Sequence, residues 1–494
     1  MISRGAQTKT IAILLVVVIV IAGAAVAWWW WSTRPKKVVL TVWLQWDVMP
    51  QEYYEKFEEK YNVELDIVKW SWTEYRAAIL QAIETGTAPD VFWVDGPWIP
   101  EFVLRGWLEP VPDYIKEDVL ANFTPGAIDN GWFQGDLYGV TQTISSHILV
   151  YNKKHFIEVG LDPNKPPSNI TELYEYAKKL SKFDEEGNLI RAGYLQNIRD
   201  FYFGDLIHSH GGSLYSEYHN GTLSKVPAEA TFWDEPGRTI LETIAKLYIE
   251  DKCADVTWSL ASTFLANTTS MIIVVGPWFL RDVYNTQLPF DIGVAPIPGP
   301  DPHSGDGGLT YVANKDSPNK ELAWRFVQWI IDPEVMLAQC LATWQVPARI
   351  SVQHDEVFLN AIPRPNETYP ANLPTMEECL EAGIWHAAWT RPKTIHYGYI
   401  SEQLWMPALS AALNPEQTPT LDDFRDKMEQ LKQDINEVLA RGESIEALIE
   451  YHSKVVNFNY GYTGKIVWQQ GHLLQHLSLP ALFEASFIRV AQRN

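Results

Sequence analysis

Between Lys37 and Asp95 the apolar pattern switches twice from the period of a strand to that of a helix and back. Lys37 to Trp43 is β-branched and apolar, which predicts a buried strand. Asp47 to Tyr61 carries Tyr53, Tyr54, Phe57 and Tyr61 at helical spacing, and Val63 to Trp70 alternates as a second strand. Thr73 to Thr85 predicts a helix with Ile79, Leu80 and Ile83 on one face, ended by Gly86, and Pro89 to Asp95 is a third strand. Strands that alternate with helices predict an α/β unit with a largely parallel sheet. Ligands of such sheets sit beyond the carboxyl ends of the strands. Gln45, Trp46 and Asp47 end the first strand; Asp95 to Trp98 end the third. Gln45, Trp46, Asp47, Asp95 and Trp98 are therefore candidate ligand contacts, although Asp47 could equally cap the helix after it.

Further along, Pro112 to Phe133 reads as a loop and Leu137 to Tyr151 as one apolar strand. Pro166 to Asn169 predicts a turn into a capped helix, Thr171 to Phe183. Met271 to Val275 is a short strand closed by Gly276-Pro277-Trp278. Pro296 to Gly308 is an extended Pro/Gly-rich crossing, and Asn319 to Ile331 is a helix. No internal repeat is visible.

A chain of 494 residues suffices for two or three domains. Its net charge of −22, without a basic run in the body, repels nucleic acid and excludes it as a partner. Of 22 tryptophans only Trp28 to Trp31 lie in the N-terminal run, so the folded part is rich in a ring that can stack on a ligand. Cys253, Cys340 and Cys379 have no metal-site spacing; they allow one bridge with a thiol left over, or three small buried hydrophobes.

Ile11 to Ala27 is uncharged and apolar, and Trp28 to Trp31 extend it to the length of a bilayer's hydrocarbon core. The indoles suit the headgroup level. Arg4 and Lys9 precede the run, and Arg34, Lys36 and Lys37 follow it, so charge alone does not orient it. The long polar sequence behind it predicts export, with residues 1–36 as anchor and linker. Ala25-Val26-Ala27 fits one cleavage route. Ser3 to Thr10 followed by the apolar run resembles the class III, prepilin-like signal of archaeal binding proteins, which implies cleavage after Gly5 and a retained membrane helix. Sequons at Asn122, Asn169, Asn220, Asn267 and Asn366 fit an exported, glycosylated surface.

Colinear short blocks add a family resemblance. Ala88-Pro89-Asp90-Val91-Phe92 with Gly106-Trp107-Leu108-Glu109-Pro110, then Tyr138-Gly139-Val140 with Val150-Tyr151-Asn152-Lys153, resemble the family 1 extracellular solute-binding proteins of ABC sugar importers. Gly160-Leu161-Asp162, Gly211-Gly212, Gly276-Pro277-Trp278, Gly307-Gly308, Ser317 to Ala323 and Pro347-Ala348-Arg349 continue the likeness over roughly residues 38 to 440. Thr141 stands where Pro is usual. The resemblance implies a two-lobed periplasmic-binding-protein-like fold of type II with no metal and no cofactor. Lobe one would hold 37–141 plus 307–345 and lobe two 142–306 plus 346–450. Residues 451–494 would form an extension without a counterpart. The implied partners are a saccharide and the membrane permease subunits of an ABC importer.

The same resemblance gives Trp278 a stacking role and Arg391, in Ala388-Trp389-Thr390-Arg391-Pro392, a role as donor to sugar hydroxyls. Trp98 and Tyr311 would flank the ligand, and Gly307 and Gly308 would let backbone approach it or simply permit the crossing's bend. Thr143, Ser145 and His147, just past the first crossing, could also reach the cleft. A di- or oligosaccharide fits the abundance of Trp. The competing class is a secreted hydrolase with a carboxylate pair across the scissile bond. No Gly-x-Ser-x-Gly elbow, His-Glu-x-x-His helix or P-loop occurs.

Overall fold

The computed structural model describes residues 37–444 except 46–48, 217, 220–221, 224–226, 287, 289 and 362–372. The expected anchor within 1–36, the sequons at Asn220 and Asn366 and the extension 451–494 lie outside the described residues. Among the described residues no helix is long and apolar enough to cross a membrane.

The strands that build the sheets are, in chain order, β1 (Val38–Gln45), β2 (Val63–Trp70), β3 (Val91–Asp95), β4 (Val140–Ile144), β5 (His147–Asn152), β6 (Lys182–Phe183) and β7 (Leu189–Leu195). They continue with β8 (Thr269–Val275), β9 (Ile292–Ala295), β10 (His303–Asp306), β11 (Gly308–Ala313), β12 (Val346–Pro347) and β13 (Ala387–Thr390). Two large sheets result, one per lobe, beside the short hairpins Trp132–Phe133 with Asp136–Leu137 and Tyr218–His219 with Thr222–Leu223. Lobe one has the order β12-β4-β11-β3-β1-β2 and lobe two the order β9-β5-β8-β7-β6. Between them β10 and β13 form a two-stranded parallel ribbon.

In lobe one, β1 pairs in parallel with β2 and β3, as the alternating pattern requires. The helix Gln51–Tyr61 buries Tyr53, Tyr54 and Phe57 and stops at Asn62, whose φ of 51° reverses the chain. Tyr75 stacks on Trp93 at 4.1 Å and donates its hydroxyl to Trp93 O at 2.6 Å. Such a ring pair contributes about 0.5–1.5 kcal/mol beyond its buried area. Lobe two has its own core around Leu149, Leu173, Tyr194, Leu206, Ile244 and Ile272. Its capped helix begins where predicted: Asn169 Oδ1 accepts from Glu172 N at 2.9 Å at the start of Ile170–Leu180.

Several expectations are corrected. Pro112 to Phe133 is not a loop but holds the helices Asp113–Asn122 and Pro125–Gly131. Proline just before or at a helix's first residue starts it rather than breaks it. Leu137 to Tyr151 is not one strand, because β4 belongs to lobe one and β5 to lobe two, with Ser145 and Ser146 between. Thr141 therefore lies inside lobe one, its hydroxyl 2.9 Å from that of Thr310. The expected second departure near Gln345 also comes later: Val346 pairs with Ile144, and Val352 and Phe358 join the lobe-one core. The helix Met376–Ala382 is shared, with Met376 and Leu380 in one core and Cys379 and Ala382 in the other. All three cysteines are free and buried.

Candidate functional site

The chain passes between the lobes three times, and the passages meet in one place. Ser145 N donates to Gly307 O at 2.7 Å, and Gly307 N donates to Ser145 Oγ at 2.9 Å, so the first and second passages are bonded where they cross. The third contains β13, whose Gly305–Trp389 and Asp306–Thr390 pairings hold it beside β10. Arg391 follows β13 directly. Its guanidinium makes a bidentate ion pair with Asp95 at the end of β3, with Nη1 to Oδ2 at 2.8 Å and Nη2 to Oδ1. Both side chains are largely buried, 13% exposed for Arg391 and 7% for Asp95. The ring of Phe201 lies 4.8 Å from the guanidinium carbon. A methyl group at Gly307 would stand 3.0 Å from Arg391 Nη2 and 3.1 Å from Ser145 Oγ. Glycine is what lets the backbone lie against the pair. A carboxylate, a guanidinium and an aromatic face thus converge beside the buried crossing strands, the set of groups that suits a ring rimmed with hydroxyls.

Around this pair the lobe-one contact is rich in charge. Thr390 Oγ1 donates to Asp129, and Lys393 Nζ donates to Asn130 O at 3.2 Å, both on the helix Pro125–Gly131. Burial pulls the Lys393 ammonium below its ordinary value, and Asp129 opposes that. Asp306 is fully buried, and neither carboxyl oxygen has a hydrogen-bond partner among the described residues. Burial, then Asp129, pushes it well above the usual carboxylate range, against the pull of Arg391 and Lys393. Gly126 makes room for it, since a methyl group there would overlap its carboxyl.

Of the residues singled out from sequence, Asp95, Arg391 and Gly307 come together here. Gly308 is packed against β4, where a methyl group would meet Thr143 O. Trp98 is 7% exposed and stacks on Trp93 at 5.5 Å, with Arg76 5.4 Å from its ring. Trp278 is half-buried and starts the helix Trp278–Thr286 behind β8, whose Val275 pairs with His147. It therefore stands at the same end of lobe two as the first passage. Tyr311 does not flank the site: it is 0% exposed, in the lobe-one core between β3 and β4. Trp46 and Asp47, and the side chain of Gln45, lie outside the described residues.

Phe201, Asp129, Asp306 and Lys393 were not found from sequence. Phe201 sits in Asp200-Phe201-Tyr202-Phe203, where a cleft ring looks like a core ring. No cluster of His, Cys, Asp or Glu among the described residues is arranged to hold a metal. The sequon residues Asn169 and Asn267 are engaged in packing, the first as a helix cap and the second accepting from Asn152 Nδ2 at 2.8 Å.

Comparison with known proteins agrees with this architecture. A maltotriose-binding protein of Pyrococcus abyssi is 24% identical over 340 residues, covering 65% of this chain and 69% of that protein. A galactooligosaccharide-binding protein of Bacillus subtilis is 22% identical over 360 residues, covering 69% and 80%. An ABC substrate-binding protein of Listeria monocytogenes in complex with cycloalternan superposes with a TM-score of 0.66 at 19% identity, covering 81% of this chain and 99% of that one. A Thermus thermophilus maltotriose-binding protein gives a TM-score of 0.60 at 22% identity, covering 80% and 100%. At those identities the solved structures speak for the fold. Residues 47–337 match the bacterial extracellular solute-binding protein family over more than half of the chain, so this protein belongs to that family and is a binding protein rather than a hydrolase.

Proposed function

We propose that this protein captures a di- or oligosaccharide between its two lobes outside the cytoplasm and delivers it to the permease of an ABC importer. The observation that carries the reading is the Asp95–Arg391 pair, buried between lobes beside the Phe201 ring and the glycine crossing. A carboxylate in a bidentate pair keeps lone pairs for adjacent hydroxyls, and the ring offers an apolar face. The relatives named for maltotriose and galactooligosaccharide support the choice of ligand class. Closure about the crossing strands would bring Trp278 of lobe two towards Asp95, favouring the closed form only when a sugar bridges both. Ile11 to Trp31 would tether the folded part to the membrane, after cleavage at Gly5.

A thermal-shift panel of maltotriose, galactooligosaccharides and monosaccharides tests this, with product analysis of each mixture. Stabilisation of about 2.7 kcal/mol is expected at a hundredfold excess of ligand over Kd, with the sugar returned intact. No stabilisation by any saccharide, or shortened products, would end the proposal.

A further inference from the structure

On the lobe-two side of the ribbon one residue gathers all three passages. Asp205 lies in the helix Asp200–Ser209 and is 0% exposed. Its Oδ1 accepts from Gly305 N at 2.7 Å and from Trp389 Nε1 at 2.9 Å. Its Oδ2 lies 2.6 Å from His147 Nδ1, and His147 is the first residue after the Ser145–Ser146 passage. His147 is held in turn by stacking on Tyr202 at 4.4 Å and an interplanar angle of 6°. The same helix holds β10 a second time, two residues earlier, where His303 N donates to Ser209 Oγ at 2.8 Å. His147 N donates to Ser304 Oγ at 2.7 Å, which joins the first passage to the second.

The register gives this hub its meaning. Gly305 and Trp389 are direct cross-strand partners in the ribbon, and a single carboxylate oxygen accepts from both. Gly307 lies two residues beyond Gly305, and Arg391 two residues beyond Trp389. Fixing one cross-strand pair fixes the height at which the next groups leave the ribbon, because extended residues advance by about 3.3 Å each. We propose that Asp205 is the positioning residue of the binding cleft. It locks the ribbon onto lobe two so that Gly307 and Arg391 travel with that lobe as one body, and closure bends the chain at the Ser145–Gly307 contact.

This rests on the sugar-binding reading only for its affinity readout; the hinge readout needs no ligand. The full-length chain carrying Glu59→Cys and Glu429→Cys, exposed positions on helices of lobe one and lobe two, is spin-labelled and its interlobe distance distribution measured without and with maltotriose. The three native cysteines are buried and leave the labels to the introduced sites. Asp205→Ala should broaden the ligand-free distribution, whereas Asp205→Asn, which keeps the Oδ1 acceptor, should restore the wild-type width. Leu173→Ala, in the lobe-two core away from the ribbon, controls for lost stability and should leave the width unchanged. Maltotriose affinity should fall about tenfold or more in Asp205→Ala relative to Leu173→Ala, the scale of one hydrogen bond to a charged group. A ligand-free width in Asp205→Ala equal to that of Leu173→Ala overturns the proposal, and so does an Asn variant no better than Ala. Altered widths together with no maltotriose binding by the wild-type protein would sustain the positioning role and count against the ligand.

Discussion

Two aspartates with no exposed surface stand on opposite sides of the interlobe ribbon, and the fold treats them in opposite ways. Asp205 faces lobe two and is saturated: a backbone amide, an indole and an imidazole all converge on it. Asp306, on the ribbon itself, faces the lobe-one helix Pro125–Gly131 with both oxygens unpartnered among the described residues. A buried carboxylate is stable only when hydrogen bonds replace the water it lost; without them it takes up a proton or costs several kcal/mol. The ribbon is thus tied to lobe two through a backbone amide and a buried indole on one carboxylate, whereas its bonds to lobe one come from side chains at its end, Thr390 to Asp129 and Arg391 to Asp95. A hinge needs that asymmetry, since a strand fixed equally at both ends has nowhere to bend.

The strongest way to break the comparison is Asp205→Ala. Removing the acceptor strands three buried partner groups, and about 3–5 kcal/mol of unfolding free energy should be lost. Urea titration reads it, and a loss under about 1 kcal/mol would put the two aspartates on a par. Asp306→Asn should do the reverse and stabilise the protein at neutral pH by about 1 kcal/mol or more, one unit of raised pKa being worth about 1.4 kcal/mol. The sign with pH follows from the raised value. The folded state holds the Asp306 proton more tightly than the unfolded chain, so its contribution is complete below the ordinary aspartate value of about 3.9 and drains away as pH rises through the raised folded value. The melting-temperature gap between Asp306→Asn and wild type should therefore widen from about pH 4 upward. A gap that stays constant to pH 8 would show that Asp306 finds a partner in solution. The smallest effect sharpens the lobe-two side: Phe201→Leu removes the ring beside Arg391 and should weaken sugar binding by about 0.5–1 kcal/mol in a calorimetric titration.

Much of this fold was legible because burial leaves a pattern. β1, β2 and β3 carry β-branched and aromatic runs of the right length, and Asn169 announces its helix by its side chain. What failed did so for physical reasons. Every residue of β4 and β5 is buried, so no periodicity marks the change of sheet at Ser145 and Ser146. The helix Asp113–Asn122 buries little beyond Ile115 and Val119, too weak a stripe to outweigh the prolines around it. The site was harder still. Asp95 and Arg391 lie 296 positions apart; the strand end pointed to the first, and only family resemblance to the second. Nothing in Asp200-Phe201-Tyr202-Phe203-Gly204-Asp205 separates a hub carboxylate from any other acid on a helix. Tyr311, expected to flank the ligand, belongs instead to a strand that runs straight into the centre of the sheet.

The strand order of lobe one also dictates a timetable for the growing chain. β11 lies between β3 and β4, so until its residues have been made, that sheet exists as two unconnected pieces. The five strands of lobe two are all complete by Ala295 and need nothing from later sequence to pair. On an emerging polypeptide the lobe encoded second can therefore finish its sheet while the lobe encoded first still waits, with exposed strand edges, for its missing middle.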